Sequence, residues 1–160
     1  MQFDSMALTL ILPVLGALVT GLVGNRWGRG ISAVVASGSV FLSFLVVLSN
    51  LVTAWPAAEA RSVDLWKWGT LTFGSGTTDI YFGLYIDALS LTLMTVITGV
   101  GFLIHLYSTG FMVDDPAYSR FFAYMNLFVG FMLMLVFADN LLQLYLGWEG
   151  VGLCSYLLIG

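Results

Sequence analysis

The chain has 160 residues, 59% of them hydrophobic and 9% charged, with a net charge of −4. A soluble domain carries about 25% charged residues, so too few polar side chains remain to cover a water-facing surface, and the mean hydropathy of +0.97 assigns the chain to a bilayer. Five Lys+Arg against nine Asp+Glu leave no basic footprint for nucleic acid. The one cysteine, Cys154, lies in an apolar run, which rules out an intrachain disulfide, and no Cys/His metal spacing exists.

The opening MQFDSMALTL has neither a basic n-region nor a small-residue cleavage site, so it reads as a retained first helix. Five apolar runs follow: Met6–Gly24, Ile31–Trp55, Tyr85–Tyr107, Phe121–Ala138 and Leu141–Gly160. About 20 apolar residues cross a hydrocarbon core of roughly 30 Å. These runs are twice the length of a barrel strand and do not alternate, so helices satisfy their backbone groups. Pro13 either kinks the first helix or marks a late start. The glycines sit inside these runs rather than after a strand, which removes phosphate-loop, nicotinamide and flavin readings. No internal repeat is visible.

The first link, NRWGRG at 25–30, is a tight basic turn. Residues 56–84 form a long polar loop in which Leu65–Phe73 and Thr78–Leu84, separated by Gly-Ser-Gly at 74–76, predict a short hairpin. MVDDPAYSR at 112–120 is the third link, and Ala138–Asn140 the fourth. Arg26, Arg29 and Arg120 crowd the short first and third links, while Arg61 and Lys67 are spread through the long second one. That distribution predicts the first and third links in the cytoplasm and the N-terminus and hairpin outside. Trp27, Trp55, Trp66 and Trp68 fall at run ends or in loops, as interfacial tryptophans do. The fifth run stops at Gly160 with no polar flank, which predicts a longer chain beyond it.

Glu149 is the acidic side chain set deepest in any apolar run. It lies about nine residues, or roughly 13 Å, from Asn140, near the expected midplane. A charged side chain at a membrane helix centre costs about 2.5–3.5 kcal/mol or more, so this glutamate predicts a site that holds a proton or ion. The bland alternative is a structural glutamate satisfied by one interhelical hydrogen bond. At 100° per residue, Tyr145 and Tyr156 share its face with Gly152, while Gln143, Gly147, Gly150 and Cys154 form a separate stripe suited to close helix contact. His105 titrates near neutrality; its place near a helix end favours an interfacial hydrogen bond over a proton relay. Asp87 and Asp139 read as helix-start charges or caps, and Asp114–Asp115 as a solvated turn.

The stretches TGVGFLIHLYS at 98–108, FADNLLQLYLGWE at 137–149 and GWEGVGLCSYLLIG at 147–160 resemble the family of subunit L, also called chain 5, of proton-translocating NADH:quinone oxidoreductase (complex I). The similarity runs over roughly residues 82–160; the first 81 residues fit the family's plan without a distinctive motif. The resemblance implies an all-α integral membrane chain of five transmembrane helices with a short external β-hairpin-like loop, part of a larger antiporter-like bundle. The segments would be 1–55 (two helices), 56–84 (external loop), 85–138 (helices 3 and 4) and 139–160 (the start of the proton-translocating domain). It implies that Glu149 belongs to a proton channel whose lysine partners lie on later helices, with Tyr145, Tyr156 and His105 as further candidates. It implies no redox chemistry and no cofactor in this chain; NADH, FMN, iron–sulfur clusters and quinone belong to partner subunits. The expected partners are other complex I membrane subunits, the lipid bilayer and protons, in a bacterial inner or mitochondrial inner membrane. Multisubunit Na+/H+ antiporters, membrane-bound hydrogenases and the photosynthetic complex I-like enzyme share much of the pattern and stand as the alternative.

Overall fold

A computed structural model describes residues 5–54, 59–74 and 76–160. Its elements in chain order are α1 (Ser5–Trp27), α2 (Arg29–Ala54), β1 (Arg61–Phe73), β2 (Gly76–Ile86), α3 (Ala88–Phe111), α4 (Tyr118–Val136) and α5 (Leu141–Ile159). The protein is thus mostly helical, with one two-stranded antiparallel sheet. Four helices, α1 to α4, are long and apolar enough to cross a membrane, which makes this a multi-pass membrane protein. The fifth has the same 19 residues as α4, but Gln143, Glu149 and two tyrosines lower its hydropathy. The sequence reading of five transmembrane helices therefore stands on composition for four, and on the position of α5 in the bundle for the fifth.

α1 runs unbroken through Pro13 from Ser5, so the late-start reading of that proline is wrong. Its ring sits in the third turn of the helix, a position membrane helices tolerate. α1 ends at Gly28, whose φ of +86° is a left-handed conformation that glycine adopts without a Cβ penalty, and the chain turns straight into α2. α3 starts later than the apolar run suggested. Tyr85 and Ile86 finish β2, and Asp87 closes a capping box: its carboxylate accepts from the Ser90 amide at 2.7 Å, while the Ser90 hydroxyl accepts from the Asp87 amide at 2.8 Å.

α4 is the centre of the bundle and packs against α1, α2, α3 and α5. Small and hydroxyl side chains line the contacts among α1, α2 and α4. Ser39 donates to the Asn126 side-chain oxygen at 2.9 Å, Ser43 to the Thr9 carbonyl at 3.1 Å, and the Ser32 and Ser119 hydroxyls meet at 3.1 Å. A Cβ on Gly16 would strike Ser39. Without water to drive association, close backbone approach and such polar contacts hold membrane helices together.

The two ends of the bundle differ. At one end the α1–α2 turn meets the α3–α4 link, where the Arg29 guanidinium donates to the Val113 carbonyl. At the other, the β-hairpin seals the bundle, and Leu84 and Ile86 join Met6, Leu91, Met94 and Phe137 in one apolar cluster. The hairpin is longer than predicted, with its strands paired from Arg61↔Ile86 to Phe73↔Gly76 and register shifts at Asp64/Trp66 and Lys67/Gly69. Trp66 stacks on Phe82, ring centroids 4.3 Å apart. Trp55 lies outside the described residues.

Candidate functional site

α5 begins with Asn140 as its N-cap, the side chain accepting from the Gln143 amide at 2.9 Å. The stripe of Gln143, Gly147, Gly150 and Cys154 is the buried face of the helix. A Cβ on Gly147 would lie 2.8 Å from the backbone of Leu135, and one on Gly150 would enter the Phe131 ring. Those two glycines let α5 press directly on α4.

Close packing of that stripe turns Glu149 the other way. Glu149 is exposed on the outer face of α5, with Tyr145 at 60%, Trp148 at 68% and Tyr156 at 71% exposure. The Tyr145 hydroxyl, one turn back, lies beside the Glu149 carboxylate. A single phenol is all that the described residues offer this group. The sequence holds one lysine, Lys67, and it sits in the hairpin, paired with Asp79 at 2.6 Å.

Tyr156 lies two turns further along. It opens on a partly polar cavity of about 530 Å³ shared with Asp115, Arg120 and Tyr124. Of these, Asp115 is a turn residue whose carboxylate accepts from the Ala117 amide at 2.6 Å. Tyr124 carried no sequence signal, because nothing in its spacing relates it to α5.

His105 is separate from this face. It is fully buried within the bundle. Nδ1 lies 2.8 Å from the Gly101 carbonyl in its own helix, and the ring packs on Phe122 of α4 at 6.0 Å between centroids. Nε2 has no hydrogen-bond partner among the described residues. The ring lines a cavity of about 400 Å³ whose other walls are apolar, among them Val100, Ile104, Met125, Met132 and Leu158. The structure thus brings Tyr145 to Glu149, places Tyr156 on the same face, and leaves His105 elsewhere.

The feature that sequence reasoning missed is the seat of α5. The α4–α5 link and the first turn of α5 are tied to the hairpin by five hydrogen bonds. The buried Gln143 amide is bidentate to one residue of β2, accepting from the Gly83 amide at 3.2 Å and donating to the Gly83 carbonyl at 2.9 Å. Asn140 donates to the Tyr81 carbonyl at 2.8 Å, the Ser62 hydroxyl donates to Asp139 at 2.7 Å, and the Tyr85 amide donates to the Phe137 carbonyl at 2.9 Å. Asp139 is therefore held by the hairpin, whereas the cap is Asn140. Among the described residues no group of three or more His, Cys, Asp or Glu side chains is placed to hold a metal ion.

Residues 71–122 match the family described as NADH-Ubiquinone oxidoreductase (complex I), chain 5 N-terminus. Over 158 residues, 98% of this chain, the sequence is 50% identical to NADH-quinone oxidoreductase subunit L of Escherichia coli (strain K12), covering 25% of that protein. It is 42% identical over 158 residues, 96% of this chain and 24% of the relative, to subunit L of Mycobacterium tuberculosis (strain ATCC 25618 / H37Rv). It is 40% identical over 152 residues, 95% of this chain and 25% of the relative, to NADH-ubiquinone oxidoreductase chain 5 of Metridium senile. The chain therefore spans about a quarter of the length of the curated relatives it matches. The same fold occurs in a chain of the membrane-bound sulfane sulfur reductase, an archaeal respiratory membrane complex, with a TM-score of 0.65 at 17% identity over 96% of this chain and 22% of that one. The chain belongs to the subunit L (chain 5) family of NADH-quinone oxidoreductases and corresponds to its N-terminal part.

Proposed function

We propose that this chain forms part of a proton-translocating subunit in the membrane arm of an NADH:quinone oxidoreductase, and that Glu149 is the group that takes up and releases the proton. The names of the relatives support the assembly, and with it a bacterial inner or mitochondrial inner membrane and other membrane subunits of that enzyme as partners. The observation that carries the role of Glu149 is its placement: a carboxylate in the middle of α5, turned outward by the Gly147–Gly150 contact, with one tyrosine hydroxyl beside it.

A carboxylate cannot rest against lipid at that cost, so the Glu149 face is an interface with protein or water. Its charge state then follows its neighbourhood. A cation beside it favours the ionised form, and desolvation favours the neutral form. Withdrawing the cation raises the carboxyl pKa and draws in a proton; returning the cation expels it. Tyr145 lies beside the carboxylate, and Tyr156 leads from its face to the polar cavity near Arg120. Lys67 is not that cation, since it is committed to Asp79 in the hairpin. Electron transfer, with its NADH, FMN, iron–sulfur clusters and quinone, belongs to other subunits.

The test is Glu149→Gln in the assembled enzyme. Gln keeps the volume but cannot carry charge. Complex content on native gels should match the unmodified enzyme while acidification of membrane vesicles per NADH oxidised falls. Unchanged pumping per NADH at unchanged assembly would refute the role.

A further inference from the structure

The outer face of the α1–α2 pair carries a groove that no part of the proton-handling site uses. Its volume is about 330 Å³, and its walls include Leu12, Leu15 and Val19 of α1 with Val34, Gly38 and Leu42 of α2. The floor is apolar and small. A Cβ on Gly38 would meet nothing within 4 Å, so space stands open above it, while Leu15, Val34 and Leu42 are half or more exposed along the rim.

Leu12 to Val19 is roughly 10 Å along the helix at 1.5 Å per residue, so an extended hydrocarbon chain can lie along the groove between the exposed Leu15 and Val34 side chains.

Charge lies at one end of this slot. Leu15, Val19, Leu22 and Arg26 follow one another at i, i+4, i+7 and i+11, so they share one stripe of α1. Arg26 is exposed, and no described residue pairs with it, in contrast to Arg29, which is engaged with Val113. Trp27 is 48% exposed beside it, at the level where amphipathic rings sit in the headgroup region. An apolar slot that ends, about 10 Å beyond Val19, in a free guanidinium and a tryptophan has the polarity profile of a phospholipid. The sign of its charge selects an anionic headgroup.

We infer that the α1–α2 groove binds one acyl chain of an anionic phospholipid whose phosphate is held by Arg26. The topology that sets the α1–α2 turn on the cytoplasmic side also sets Arg26 against the negatively charged leaflet. The inference does not depend on the role of Glu149.

The experiment uses the assembled enzyme in nanodiscs doped with phosphatidylglycerol bearing a photoactivatable diazirine on its acyl chain, in parallel with the matching phosphatidylcholine. Cross-links should map to peptides spanning residues 12–19 and 34–42, with phosphatidylglycerol ahead of phosphatidylcholine. Arg26→Gln should erase that preference, a drop of roughly five-fold for one basic residue at a membrane surface. Gly38→Leu, whose Cβ meets nothing within 4 Å and whose outer carbons extend into the slot, should reduce cross-linking of both lipids while leaving assembly on native gels intact. Arg26→Gln keeps the groove itself, so it remains informative should the glycine variant assemble poorly. Absence of cross-links at these peptides in the unmodified enzyme would overturn the inference by showing that protein covers the groove. Equal labelling by both lipids, unaffected by Arg26→Gln, would overturn it by reducing the contact to bulk solvating lipid.

Discussion

Gln143 shows how one side chain sets the geometry of another six residues away. Its amide satisfies both polar atoms of Gly83, which are buried at the hairpin base and have no water to replace it. Gln143→Leu keeps the size and removes both bonds, leaving a buried donor and acceptor unpaired at about 1–3 kcal/mol. We expect faster limited proteolysis at Arg61 and Lys67 in the assembled enzyme, because α5 and the hairpin then separate more often. Gln143→Glu, which still accepts from the Gly83 amide, should be intermediate. A Leu variant as resistant as the unmodified enzyme would show that the clamp contributes nothing. This contact was illegible in the sequence because its partner is main chain, and no side-chain pattern reports a backbone. Glu149, by contrast, stood out at once, since a lone carboxylate breaks an uncharged run; that Tyr145 shares its face followed from i, i+4 spacing. The burial of His105 was not legible, because the Phe122 ring that packs on it comes from another helix.

At the scale of elements, the small stripe of α5 was legible and its severity was not. Gly147 abuts the backbone of Leu135 and Gly150 the ring of Phe131, and a backbone yields less than a ring. Gly147→Ala should cost about 1–3 kcal/mol as an overpacked contact, with Gly150→Ala a smaller loss. Gly152→Ala, whose Cβ meets nothing within 4 Å, should stay within about 0.5 kcal/mol of neutral. Thermal stability of the purified enzyme should rank the three in that order, and an equal effect from all three would contradict the packing. The hairpin carries a pH response of its own. The hydrogen bond from Lys67, with a second from Thr70, holds Asp79 below the usual carboxylate range. A depressed carboxylate contributes stability that is complete above its ordinary value of 3.8 and is lost as pH falls through the lowered one. The pair is exposed, so the contribution is small. Hydrogen exchange at β1 amides, normalised to the intrinsic rate, should be flat from neutrality to about pH 5 and rise only in stronger acid; Lys67→Ala should remove the rise. The strand ends escaped notice because Tyr85 and Ile86 are apolar and read as the head of α3, and only the Asp87–Ser90 capping box separates them.

For the whole molecule, hydropathy alone gives the helices, since a bilayer leaves the backbone few choices. Their arrangement needed coordinates: nothing in the composition of α4 singles it out as the helix all others touch. The structure gathers Arg26, Arg29 and Arg120 at one end and the hairpin at the other. Single cysteines at Asp114 and Thr77, both exposed, in a Cys154→Ala background should therefore label with an impermeant reagent from opposite faces, Asp114 from the cytoplasm. Labelling of both from one face would break the topology. The central claim is that Glu149 gains and loses a proton as the enzyme turns over. Infrared difference spectra of the assembled enzyme, recorded before and after NADH addition, read this directly. The account predicts a carboxylic-acid C=O band in the difference spectrum that is absent from Glu149→Gln. Identical difference spectra for the two enzymes, each turning over NADH, would mean that the carboxyl never changes its proton and would contradict the claim.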